Sequence, residues 1–155
     1  MGKIYNYVFN VSLGSGTDNT KHFNVDWDKM PSDCAYKLTF AFNSSNGTNL
    51  FNQSANIYCN LGQSHNIVAS SDNFSNLRGD YLGFLKPVGF STGTGITTYT
   101  SLTADNDTNP PTYLYRRPQQ SDILIEIRAS TGTTANYNNT LGSYTLVLSF
   151  EEITE

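Results

Sequence analysis

The residues able to do chemistry are few and scattered. His22 and His65 are the only imidazoles in the 155 residues, and neither stands in a nucleophile elbow or at a metal-ligand spacing. A zinc site would need the two histidines together with Cys34 and Cys59, and the spacing of these four gives it no support. Hard-oxygen chemistry has one cluster, Asp105-Asn106-Asp107-Thr108-Asn109. Its carboxylates and amide oxygens suit calcium, yet it lacks the glycine and distal glutamate of an EF-hand loop, and a solvated turn leading into Pro110-Pro111 is the simpler reading. Glycoside hydrolysis needs two carboxylates across a cleft; Asp72, Asp80, Asp105 and Asp107 lie in loops with nothing to pair them. The sequence therefore predicts no catalytic residue, no cofactor and no metal. Recognition has one candidate, the adjacent pair Arg116-Arg117 ahead of Pro118, since arginines beside a strand make bidentate contacts with carboxylates of their own domain or of a neighbour.

The segments that must position such residues are extended. In Asp122–Arg128 the side chains of Ile123, Ile125 and Ile127 share one face, with Asp122, Leu124, Glu126 and Arg128 on the other. In Ser143–Glu151 Tyr144, Leu146, Leu148 and Phe150 alternate with Thr145, Val147, Ser149 and Glu151. Period two with β-branched and aromatic residues marks half-buried strands. The loop between them, Ala129–Gly142, is too long for a two-residue hairpin turn, so the two need not pair; in a Greek key, successive strands often sit in opposite sheets.

Further upstream, Tyr5, Tyr7, Phe9 and Val11 alternate with polar residues until the turn cluster Gly14–Asn19. His22–Trp27 resumes an extended pattern with Phe23, Val25 and Trp27 on one face. After the break at Met30-Pro31, Tyr36, Leu38, Phe40 and Phe42 define a clear strand. Shorter ones are predicted at Asn56–Leu61, Asn66–Ala69 and Tyr81–Leu85. Pro87 and Gly93-Thr94-Gly95 read as loop, with Ile96–Leu102 as a short Thr/Tyr strand. Eight or nine strands without a helix predict an all-β fold, and the best size match is a single jelly-roll β-sandwich of about eight antiparallel strands over residues 1–155. Leu38, Phe40, Phe42, Ile123, Ile125, Ile127, Leu146, Leu148 and Phe150 are its expected core.

Composition narrows the function classes. Charged residues are only 14% and aromatics 13%, which suits strands with polar loops rather than helices. With a formal net charge of -4 there is no basic field to draw in a phosphate backbone, so nucleic acid is not expected as a partner. The start, Met1-Gly2-Lys3-Ile4-Tyr5-Asn6, lacks the apolar run of a signal peptide, has Asn6 where a myristoylation motif wants Ser or Thr, and no later stretch reaches span length. The expectation is a soluble protein made in the cytosol, without membrane insertion, whose Cys34 and Cys59 stay reduced. Acceptor triplets such as Asn46-Gly47-Thr48 and Asn73-Phe74-Ser75 arise by chance in so Asn-, Ser- and Thr-rich a chain.

Taken in order, several motifs carry a resemblance: Phe23-Asn24-Val25-Asp26-Trp27 with Pro31, Tyr36–Phe42, Ile57-Tyr58-Cys59-Asn60-Leu61-Gly62, Asn109-Pro110-Pro111 with Arg116-Arg117-Pro118, and Tyr144–Glu151. Their order and spacing resemble the small single jelly-roll capsid proteins of large icosahedral double-stranded DNA viruses of algae and other protists. The similarity runs from about Tyr5 to Glu151, with Lys86–Thr103 outside the matching motifs. It implies a virion protein, made in the host cytoplasm, that works as a minor capsid or penton (vertex) component. Its partners would be trimers of the double jelly-roll major capsid protein, other minor capsid proteins and copies of itself as a trimer or pentamer. It implies no catalytic residues, and pairing of the Tyr5–Val11 strand with Tyr144–Phe150. Exposed Tyr, Asn and Thr on a sandwich suit contact surfaces. The competing class is a carbohydrate-binding β-sandwich, for which the single Trp27, expected within a strand, is a poor platform; a small β-sandwich enzyme is the third.

Overall fold

The computed structural model describes residues 2–12, 20–45, 55–62, 67–71, 74–78, 80–93, 96–104, 109–129 and 143–153. Within them the chain forms strands β1 (Ile4–Ser12), β2 (Thr20–Asn24), β3 (Ala35–Ser45), β4 (Ala55–Cys59), β5 (Ile67–Ser71), β6 (Phe74–Arg78), β7 (Tyr81–Gly93), β8 (Ile96–Ala104), β9 (Thr112–Leu114), β10 (Asp122–Ala129) and β11 (Ser143–Ile153). The fold is all-β. Every pairing is antiparallel.

A single hydrogen-bonded path runs β1-β11-β3-β8-β7-β4-β10-β2 and divides at the β7–β8 pairing into two halves, β1-β11-β3-β8 and β2-β10-β4-β7, the order of a jelly roll built from two Greek keys. β1 and β11 pair in unbroken register from Ile4↔Glu151 to Ser12↔Ser143, closing the sheet through segments from the two ends of the chain. β10 and β11 do not pair with each other, as the long connection between them allows: β10 pairs with β4 and β11 with β3. β5 and β6 form a separate hairpin between β4 and β7, and β9 adds to β3 beyond the reach of β8.

Alternation decides what is buried. Leu38, Phe40, Phe42, Ile123, Ile125, Ile127, Leu146, Leu148 and Phe150 all lie in one core cluster with Phe9, Val11, Met30 and Leu102. The two sheets meet through ring contacts, Phe9 of β1 on Phe23 of β2 at 5.1 Å and Tyr7 of β1 on Trp27 at 4.8 Å. Such edge and tilted pairs add to the gain from removing large apolar side chains from water.

The structure departs from the sequence reading in several places: β6 and β9 stand where no strand was expected, and two further departures bear on how the chain is folded. Residues 86–93, expected as loop, continue β7, which pairs with β4 as far as Leu85 and with β8 from Lys86. Pro87 is tolerated because, after the pairing with β4 ends, the strand has a ladder neighbour on one side only. The Ile57/Tyr58 irregularity opposite β7 leaves Leu82 as an extra residue, the bulge expected where a strand turns from one sheet into the other. The second correction concerns Trp27, expected in a strand: β2 ends at Asn24, and Trp27 stands in the irregular segment beyond it, buried.

Candidate interaction site

The segment after β9 carries the Arg116-Arg117 pair, and its shape is fixed by the turn that follows β2. Val25 N–H donates to Ser121 O at 2.7 Å, and the Trp27 indole Nε1–H donates to Gln120 O at 2.8 Å. Arg117 completes the stitch: Nη1 donates to Met30 O at 2.7 Å and to Trp27 O at 3.5 Å, and Nη2 lies 3.4 Å from the exposed Asp28 carboxylate. On the other flank the Asn60 side chain donates to Gln120 Oε1 (2.7 Å) and accepts from Leu124 N–H (2.7 Å). Pro118 is buried.

The structure thus divides the arginine pair. Arg117 donates to the carbonyl of Met30 and adds a second, longer bond to that of Trp27, which already accepts from Met30 N–H at 3.0 Å. Arg116 is exposed, beside Tyr115 at 83% exposure, the most exposed large apolar side chain among the described residues. Tyr115 and Arg116 border a groove of ≈ 490 Å³, whose wall includes Asn60, Asp80, Gln119 and Gln120. Polar side chains and apolar surface, Leu61 included, both line it, and its position is set by internal bonds rather than by the exposed residues themselves.

Asn109 anchors the start of this region. It is buried, and its carboxamide accepts from Phe84 N–H (2.7 Å) and donates to Phe84 O (3.0 Å), serving β7 as a strand would at the point where β8 has not yet begun to pair. That approach needs Gly83: a Cβ there would come within 2.5 Å of both Asn109 Oδ1 and the Phe40 ring. The Asn109-Pro110-Pro111 motif is therefore a clamp between β7 and the segment leading to β9.

The other chemistry-bearing residues stay apart. His22 is exposed, 3.6 Å from the Asp122 carboxylate. Among the described residues no three His, Cys, Asp or Glu side chains gather as a metal site; His65, Asp72, Asp105 and Asp107 lie outside the described residues. Cys34 and Cys59 do not bridge. Burial, followed by the nearby Asp80 carboxylate, pushes the Cys59 thiol up to about 12, so it is a packing residue and not a nucleophile at neutral pH. Burial also raises Tyr36 strongly; its hydroxyl donates to Pro31 O at 2.6 Å and pins the same turn that Arg117 holds. No helix of the described residues is long and apolar enough to cross a membrane.

No protein-family model matches the chain, and none of the curated proteins compared with it does.

Proposed function

We propose that this protein is a structural subunit of a virus shell: a single jelly roll that binds trimers of a double jelly-roll major capsid protein as a minor capsid component, or as the penton at a vertex. The reading rests on the ordered resemblance of its motifs to the small jelly-roll capsid proteins. Its principal structural support is the strand order β1-β11-β3-β8 against β2-β10-β4-β7, a fold that viral capsid domains share with lectins. The loop bearing Tyr115 and Arg116 supplies the contact chemistry. Tyr and Arg are the residue types that most often carry binding energy at protein interfaces, and here they are held on a pre-ordered segment. In this reading the protein acts in the virion, after synthesis in the host cytoplasm, by contact and not by catalysis.

The test is binding of the purified chain to purified major capsid trimers, measured by sedimentation. Saturable binding that weakens at least tenfold in Tyr115→Ala and Arg116→Ala supports the assignment. No binding by the parent chain counts against it.

The groove itself favours a second reading, a glycan site. Tyr115 offers an exposed ring beside Asn60, Asp80, Gln119 and Gln120, the pairing of stacking surface and hydrogen-bond groups that sugars require. Trp27 takes no part, being buried against Tyr7 and Phe150. A glycan array on which the parent binds and Tyr115→Ala does not would move the assignment to this class.

A further inference from the structure

The two sheets end in very different edges. β2 is short and carries Lys21, the kind of charge with which natural proteins blunt a sheet edge. β1 has no such protection: its nine residues, Ile4–Ser12, include no charge, proline or glycine, and its register with β11 has no bulge. Among the described residues β11 is its only ladder partner.

The polarity of that edge follows from one bond. Glu152 N–H donates to Lys3 O at 2.9 Å. Antiparallel ladders alternate between residue pairs that exchange both backbone bonds and pairs that exchange none. Tyr5, Tyr7, Phe9 and Val11 therefore bond to β11, while the N–H and C=O groups of Ile4, Asn6, Val8, Asn10 and Ser12 point away from the sheet. An alternating row of donors and acceptors is matched in full only by another strand.

We propose that the occupant of this edge is the β1 strand of a second copy of the chain, antiparallel about a two-fold axis at Val8. The sequence of the strand is self-complementary in that register. Val8 meets Val8 of the partner copy, Asn6 meets Asn10, and Ile4 meets Ser12; on the inner face Tyr7 stands opposite Phe9 and Tyr5 opposite Val11. Val8 and Ile4, 58% and 53% exposed in the isolated chain, lose part of that exposure against the facing strand. The Asn6 and Asn10 side-chain carbonyls already accept from Ser149 (2.6 Å) and Thr145 (2.9 Å) of β11, and their Nδ2 groups remain to donate across the new pair. The uncharged strand brings no like charges together, and an isologous contact of this kind closes as a dimer or joins two rings.

The test uses the full chain alone, so it stands or falls independently of the shell assignment. Sedimentation across a hundredfold range of concentration should show a reversible dimer. Val8→Pro removes only an outward N–H, and Val8→Lys sets two ammonium groups face to face. Each should raise the dimer dissociation constant at least tenfold while the melting transition shows a folded monomer. In a Cys34→Ser background, Val8→Cys should cross-link to itself under mild oxidation, and Ile4→Cys should not. A parent that is monomeric throughout, dimers unaffected by Val8→Lys, or equal cross-linking at both positions would overturn the proposal.

Discussion

Arg116 and Arg117 are adjacent in sequence and unlike in physical role. Replacing Arg117 by alanine removes a charged donor from the carbonyls of Met30 and Trp27 and should lower stability by about 2 kcal/mol; the link to exposed Asp28 adds little. Arg116→Ala should change stability by less than about 0.5 kcal/mol. Paired melting curves in denaturant check both, and equal effects would mean that the guanidinium contacts of Arg117 carry no weight. Nothing in the string Arg116-Arg117-Pro118 distinguishes the two, because the carbonyls that hold Arg117 are 87 and 90 residues away in the chain. Trp27 was hidden in the same way. Its place on the face of Phe23 and Val25 was legible from period two; the end of β2 at Asn24 was not, since it is imposed by bonds to Gln120 and Ser121.

At the scale of the element, the strands with strict alternation were the readable ones. β3, β10 and β11 bury the residues that their period assigns to the core, and Leu148, fully buried in β11, offers the sharpest check. Leu148→Asp places an unpaired carboxylate among apolar neighbours and should cost about 4 kcal/mol or more, a large part of the stability of a domain this size. A variant melting within a few degrees of the parent would show that Leu148 does not face the core. β7 was half-read for a physical reason: Pro87 and Gly93 carry loop signals, but pairing with β8 outweighs local preference, as tertiary context does for strands generally. The clamp that starts this pairing makes its own prediction. Asn109→Ala would leave Phe84 N–H and C=O without their side-chain partner and should cost about 2 kcal/mol. Hydrogen exchange should localise the loss to β7, with the amide of Phe84 among the groups whose protection falls most.

For the whole molecule, the buried acids set an alkaline limit. Cys59 is raised to about 12 by burial and by Asp80, and burial raises Tyr144 as well. Folding therefore favours their protonated forms. This contribution is fully present below the unfolded thiol range near 9 and is lost as pH rises from there toward 12. From Cys59 alone the decline approaches about 1.4 kcal/mol per pH unit within that window. Melting temperatures should fall between about pH 9 and 11, less steeply in Cys59→Ala; identical slopes in the two proteins would remove Cys59 as the cause. The jelly-roll order joins these residues in one core, and the account of function depends on what that rigid body presents outward. Whether the chain is built into virus particles, as proposed, is read from quantitative mass spectrometry of purified particles. A shell subunit should be present at a fixed ratio to the major capsid protein, with Arg116→Ala depleted although its melting curve matches the parent. Particles that lack the chain altogether would contradict the shell assignment.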